Sequence, residues 1–247
     1  MDEPKFLLVL GGGSDIGRAC ALRFAQAGWR VTLAGRDLAT LKREAEDIAT
    51  RTGVATATSF IDILDTPSFA AFETGLGGLP DAIVCVVGLL GEQRRAETDP
   101  AHASLVMRSN FEGPALLLGQ FAEGFSERGD GIIVGVSSVA GDRGRASNYV
   151  YGAAKAGLTA FLSGLRNRFG KTKIRVVTVK PGFVRTKMTA GMKLPPPLTA
   201  EPQEVAEAIY RASAVRPRDV IYVKLIWRLI MTIIGSIPEP IFKRLKL

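Results

Sequence analysis

Short, continuously apolar runs recur along the chain, and the segments between them carry apolar residues at helical spacing. Lys5–Leu10 (KFLLVL) has the pattern of a strand buried on both faces of a parallel sheet. Trp29–Leu33, Val54–Ile61, Asp81–Val87, Ile132–Val136, Lys173–Val179 and Asp219–Val223 read as further strands. Helical spacing predicts helices over Ile16–Ala27, Leu38–Thr50, Ala153–Leu162 and Glu201–Val215, the last opened by Pro202. Thr98–Phe125 reads as one long helix, kinked at Gly113-Pro114. Strands and helices alternate without a break in composition, so the pattern predicts one doubly wound α/β domain with a seven-stranded parallel sheet over residues 1–223. An amphipathic segment, residues 224–247, should pack on or beside it.

Composition narrows the chemistry. The chain has 247 residues, enough for a full core. Cys20 and Cys85 fall inside a predicted helix and a predicted strand, and no cluster of Cys and His suggests a metal site. The single histidine, His102, sits in a polar helix entry and reads as a surface residue, which argues against a Ser-His-Asp hydrolase. The net charge of +8 points to an anionic partner: a nucleotide, a phosphorylated substrate or an acidic membrane surface. No basic run or aromatic-interleaved patch indicates nucleic acid. MDEPKF leads directly into the first strand with no signal-peptide pattern, so the expected location is cytoplasmic, peripheral at the inner face of the membrane.

Candidate catalytic chemistry gathers between Ser137-Ser138 and Lys155. Tyr151 and Lys155 stand one turn apart on a predicted helix face. A phenol alone, with a pKa of roughly 10, is a poor acid near neutrality. A neighbouring ammonium favours the phenolate and is expected to pull that pKa toward working pH. Ser138 follows the Ile132–Val136 strand, at the sheet end where open α/β folds bind ligands.

The first strand runs into Gly11, Gly12, Gly13, Ser14, Asp15, Ile16 and Gly17 before a helix, a turn whose backbone N–H groups suit a pyrophosphate. The second strand ends at Gly35-Arg36, and a guanidinium there suits a 2′-phosphate, favouring NADPH over NADH. Asp37 is expected to cap the next helix. Asp62 either accepts an adenine amino group or caps the segment after it. Asn110, polar within an apolar helical stretch, either fixes the kink or orders a water near Lys155. The turn at Pro181-Gly182 and Val184 suits a nicotinamide, with Thr186 in reach of its carboxamide or a phosphate. Met188–Leu198 reads as a substrate lid or a linker.

The glycine turn, Asp62, Asn110, Ser138, Tyr151, Lys155, Pro181-Gly182 and Thr186 together resemble the short-chain dehydrogenase/reductase family over nearly the whole chain. The resemblance implies a Rossmann domain reducing a ketone with NAD(P)H, in a homo-oligomer. By that resemblance Tyr151 donates a proton, Ser138 polarises the carbonyl, Lys155 binds the nicotinamide ribose and lowers the Tyr151 pKa, and Asn110 holds a relay water. Two positions depart from the family pattern: Asp15 replaces a loop glycine, and Cys85-Val86-Val87-Gly88 replaces an Asn-Asn-Ala-Gly turn, leaving only Gly88. Within the family, Val87–Gly91, Arg143–Gly152, Pro181–Met188 and the tail at Ile237-Pro238 and Ile241–Leu245 are similar to the reductase half of decaprenylphosphoryl-ribose 2′-epimerases. That similarity implies reduction of a 2-keto group on a polyprenyl-phosphate sugar in cell-envelope synthesis, beside a flavoprotein oxidase.

Arg143 and Arg145, between Ser138 and Tyr151, should rim the site, as should Arg185 after the Pro-Gly turn; they contact a substrate phosphate or form a solvated rim. Leu225–Ile237 is too short to span a bilayer. With Trp227, Lys224, Arg228, Lys243, Arg244 and Lys246 it suits either an interfacial membrane helix or an oligomer contact. Reduction of another hydrophobic ketone (steroid, retinoid or acyl) and nucleotide sensing without turnover are the alternatives.

Overall fold

The structure is a computed structural model that describes residues 4–245; Met1–Glu3, the basic Lys246 and Leu247 fall outside the described residues. Seven parallel strands form one sheet: β1 (Phe6–Leu10), β2 (Arg30–Gly35), β3 (Thr56–Phe60), β4 (Ala82–Cys85), β5 (Asp130–Val136), β6 (Lys173–Pro181) and β9 (Val220–Val223). Their order across the sheet is β3-β2-β1-β4-β5-β6-β9. A separate pair, β7 (Phe183–Val184) and β8 (Thr199–Ala200), brackets the segment expected to act as lid or linker.

The apolar runs are continuous because the sheet is covered twice. Leu7 and Val9 of β1 enter one core; it includes Cys20 and Phe24 of α1 (Asp15–Ala25), Leu41 and Ile48 of α2 (Leu38–Thr52) and Ile209 of α8 (Pro202–Tyr210). Leu8 and Leu10 enter the opposite core. Phe69 and Phe72 of α3 (Phe69–Thr74), Phe121 and Phe125 of α6 (Gly113–Arg128) and Leu158 and Leu162 of α7 (Tyr149–Arg168) fill it. Two-residue periodicity therefore sorts the side chains of the central strands between two hydrophobic layers, while edge strand β3 stays half-exposed. β1 pairs with β2 on one side and β4 on the other, so the winding direction reverses there. The carboxyl ends of those strands open a crevice at the switch point.

A short helix, α4 (Gln93–Ala96), follows the turn after β4. The expected long helix over Thr98–Phe125 is three pieces: α5 (Pro100–Met107), a π turn (Arg108–Glu112) and α6. Its break lies before Gly113-Pro114. Asn110 Nδ2 donates to the Val106 carbonyl at 2.8 Å, the oxygen that the Asn110 N–H would take in an α-helix. Side-chain capture of that acceptor slips the ladder to π geometry.

Beyond β9, α9 (Ile226–Ser236) and α10 (Glu239–Phe242) carry the chain back over the site end of the sheet. Trp227 and Met231 are buried with Val139, against Phe183, Leu198 and Tyr222.

Candidate active site

Two connected cavities occupy the carboxyl end of the sheet. The larger, about 640 Å³, is lined by Gly11, Gly13, Ser14, Gly35, Arg36, Asp62 and Gly88. The smaller, about 170 Å³, is lined by Ser138, Tyr151, Lys155, Pro181, Gly182 and Trp227. Val86, Gly88 and Met188 border both.

The larger cleft begins at the turn after β1. Gly11 has φ +85°, a conformation that favours glycine. A Cβ on Gly17 would stand 2.3 Å from the Gly11 carbonyl oxygen, so the turn closes this tightly only without side chains. Ser14 caps α1, its Oγ accepting from the Gly17 N–H at 3.1 Å. Asp15 turns elsewhere: its carboxylate accepts from the Lys187 N–H at 2.7 Å, tying the glycine turn to the segment after β7. Its negative charge thus sits beside a backbone donor and Arg18. Arg36 is exposed at the rim, while Asp37 caps α2 through the Thr40 N–H and hydroxyl, which hold its carboxyl below the usual range. Asp62 lines the cleft, and its Oδ1 accepts from the Leu64 N–H at 3.0 Å, the capping bond expected of it. The cleft's N–H-rich turn, helix terminus and rim guanidinium suit a phosphorylated nucleotide.

The smaller pocket is built where β5 meets α7. Ser137 Oγ donates to the carbonyl of Lys155 at 2.9 Å and pairs with the Thr159 hydroxyl at 2.7 Å, which fixes α7 against the strand end. A Cβ on Gly152 would be 2.8 Å from the Ala140 carbonyl oxygen, so the turn after Ser138 lies directly on the first turns of α7. Ser138 Oγ accepts from the Ala140 N–H at 3.1 Å, which leaves its own proton free to donate.

Lys155 is only 3% exposed, and its Nζ donates to the Val136 carbonyl at 3.0 Å and lies 5.8 Å from the Tyr151 ring centroid. Among the described residues no carboxylate supports it, and burial pushes its pKa down to about 8. Tyr151 keeps partial access through the pocket but is otherwise hemmed in by protein. That enclosure pushes its pKa up to about 12, with Ser138 pulling the other way. The direction is opposite to the expected lowering by the ammonium: desolvation is the largest influence on both groups and disfavours both charges.

Asn110 is fully buried and faces the Gly88–Leu89 turn. Its Nδ2 donates to the Leu89 carbonyl at 2.6 Å and its Oδ1 accepts from the Leu89 N–H at 3.2 Å. A Cβ on Gly88 would lie 2.9 Å from Asn110 Oδ1 and 3.4 Å from Lys155 Nζ. Asn110 therefore both accompanies the helix break and holds the turn beside Lys155. It also supplies hydrogen bonds where the Cys85-Val86-Val87 segment has no asparagine.

Ile16, Val184 and Thr186 line the smaller pocket, as does Arg145. Arg143 does not reach into it. Its Nη1 donates to the carbonyls of Ile234 (2.8 Å), Gly235 (3.2 Å) and Ile237 (2.6 Å), and its Nη2 to Glu239 at 2.8 Å. The expectation of a substrate contact is corrected: Arg143 caps the carboxyl end of α9, where unpaired carbonyls and the helix dipole attract a cation. Arg185 lines a separate surface recess and pairs with Glu201 at 2.9 Å. The role of Trp227 as a pocket wall, and of Ser137 in holding α7, carried no local sequence signal. Among the described residues no group of three metal-binding side chains converges, and no helix is long and apolar enough to cross a membrane.

The short chain dehydrogenase family model matches residues 5–195. An uncharacterised oxidoreductase of Mycobacterium tuberculosis is 35% identical over 97% of this chain and 96% of its own. Another, from Streptomyces coelicolor, is 36% identical over 98% of this chain and 96% of its own. Among solved structures, a short chain dehydrogenase/reductase family protein matches with TM-score 0.79 and 30% identity over 89% of this chain and 95% of that one. Actinorhodin polyketide ketoreductase, solved with NADPH, matches with TM-score 0.80 and 25% identity over 89% and 95%. The chain belongs to the short-chain dehydrogenase/reductase family and is one of its oxidoreductases.

Proposed function

We propose that this oxidoreductase uses NADPH to reduce a ketone to a secondary alcohol, and that its natural substrate is the 2-keto group of a polyprenyl-phosphate-linked sugar. The observation that carries the reading is the placement of Ser138, Tyr151 and Lys155 around one small pocket that opens into the glycine-lined cleft. NADPH, when bound, supplies the hydride. Gly11, Gly13, Ser14, Arg36, Asp62 and Gly88 would hold its nucleotide portion, and Pro181, Gly182, Val184 and Thr186 its reactive end. Ser138 donates a hydrogen bond to the carbonyl oxygen, and Tyr151, neutral at working pH, delivers a proton to it. Lys155 steadies the resulting phenolate and binds a ribose hydroxyl. The likeness to a polyketide ketoreductase with NADPH supports the cofactor, and it supports a second reading with an acyl ketone as substrate.

α9 supports the lipid part of the proposal. Its inner face puts Trp227 into the pocket wall, while Leu225, Ile226, Leu229 and Ile233 on its outer face are exposed. Arg228, Lys243 and Arg244 are exposed nearby, and the segment's one acid, Glu239, is paired to Arg143. Two copies of this surface would bring like charges together, whereas anionic headgroups supply the missing counter-charge. The occupant is therefore the anionic inner leaflet of the membrane. A flavoprotein oxidase acting on the same lipid would supply the ketone.

The test is NADPH oxidation with a polyprenyl-phosphate 2-keto-pentose against acyl, steroid and retinoid ketones. Preference for the sugar lipid supports the proposal. Turnover of acyl ketones alone selects the second reading.

A further inference from the structure

The active-site pocket contains a positive charge that the fold does not neutralise. Arg145 lines it, and its Nε is buried without a hydrogen-bond partner among the described residues. The carboxylate that acts on this guanidinium is Asp142. Asp142 is already engaged: Lys180 donates to one oxygen and the Tyr222 hydroxyl to the other, at 2.9 Å. Burial consequently lowers the Arg145 pKa.

A second orphan stands beside it in the sequence and lines the same pocket. Asn148 Oδ1 is buried with no donor among the described residues. Asn148 precedes the first residue of α7, where an asparagine side chain usually accepts an N–H of the first turn. Here Gln93 Oε1, from α4, takes the Val150 N–H at 3.2 Å. The side chain of Asn148 is thereby released from capping. Buried polar atoms without partners are rare and costly, and two in one substrate pocket mark groups awaiting a ligand.

We propose that Arg145 and Asn148 form a recognition subsite for an anionic, hydroxylated substrate. Arg145 binds a phosphate or other anionic oxygen group, and Asn148 accepts a hydrogen bond from a hydroxyl of the same molecule. The inference rests on the reductase reading for the identity of the pocket. It goes further in assigning charge recognition to Arg145 and excluding Arg143 and Arg185.

Calorimetric titration of the full chain saturated with NADPH, so that the cofactor's own phosphate sites are filled, compares glycerol 3-phosphate with glycerol. The phosphate should bind about tenfold or more tighter, and Arg145→Gln should bring the two within about threefold. In steady state, Arg145→Gln should raise KM for dihydroxyacetone phosphate about tenfold and leave dihydroxyacetone within about threefold. Arg145→Lys should restore part of the phosphate preference. Equal binding of the two ligands by the unaltered protein overturns the subsite, whether or not the variants fold. So does an equal loss for both ketones in Arg145→Gln. Calorimetric preference without turnover of either ketone would sink the reductase reading and keep the subsite. Turnover of both ketones without preference would do the reverse.

Discussion

A methyl group on Gly182 would stand 1.9 Å from the indole of Trp227. The two residues come from the turn after β6 and from α9, and their contact closes the pocket wall. Trp227 cannot retreat easily, because it is 5% exposed and its Nε1 donates to the Leu198 carbonyl at 2.9 Å. Gly182→Ala should therefore lift α9 from the site. The expected loss is about 1–3 kcal/mol of stability, or roughly 2–12 °C in Tm for a chain of this size. Turnover should fall with it. Arg143→Ala should act in the same direction by uncapping α9, and it should affect phosphorylated and neutral ketones alike. Calorimetric melting with parallel assays checks both variants.

The strands, helices α1, α2, α7 and α8 and the glycine turn were legible because each depends on local periodicity or local backbone demands, whereas α3 and α4 were not read. Tyr151 and Lys155 were legible for the same reason: one helical turn separates them. The attachment of α9 was not, because Arg143 meets carbonyls 91 to 94 positions away. A guanidinium in a loop reads identically whether it faces a substrate or a helix end. The π turn was also hidden, since only the Asn110 side chain reaching the Val106 carbonyl distinguishes it from a proline kink.

Lys155 is buried without a carboxylate partner among the described residues, so its charge costs stability. Its pKa is about 8 in the fold against an ordinary 10.5. Below about pH 8 both states are protonated and the cost is fully present. Between those values the unfolded chain still holds the proton and the folded chain does not, so stability rises with pH. Lys155→Met should raise Tm at neutral pH, flatten that rise and abolish turnover. Melting curves across the interval, for both proteins, check the sign.

Arg36 is the exposed cation at the cleft rim, and Asp37 is occupied with capping α2. Arg36→Ala should lower kcat/KM for NADPH about tenfold or more, the worth of a charged hydrogen-bond partner. NADH should change little. Parallel steady-state assays with the two cofactors measure the ratio.

The outer face of α9 gives a separate test of the lipid reading. Leu229→Glu with Ile233→Glu should abolish co-sedimentation with phosphatidylglycerol-containing liposomes while leaving the inner face, with Trp227, intact. Binding should weaken as salt rises. An unaltered protein that ignores anionic liposomes but self-associates, and becomes monomeric in the double variant, would assign this face to a second copy instead.

Proton delivery by the Tyr151 hydroxyl is most directly tested by comparing kcat for ketone reduction in the unaltered protein and in Tyr151→Phe, each saturated with NADPH. The substitution removes one oxygen from a pocket whose walls stay in place. The rate should drop by about two to four orders of magnitude, with NADPH affinity nearly unchanged. Ketone reduction by Tyr151→Phe at close to the original rate would contradict the account.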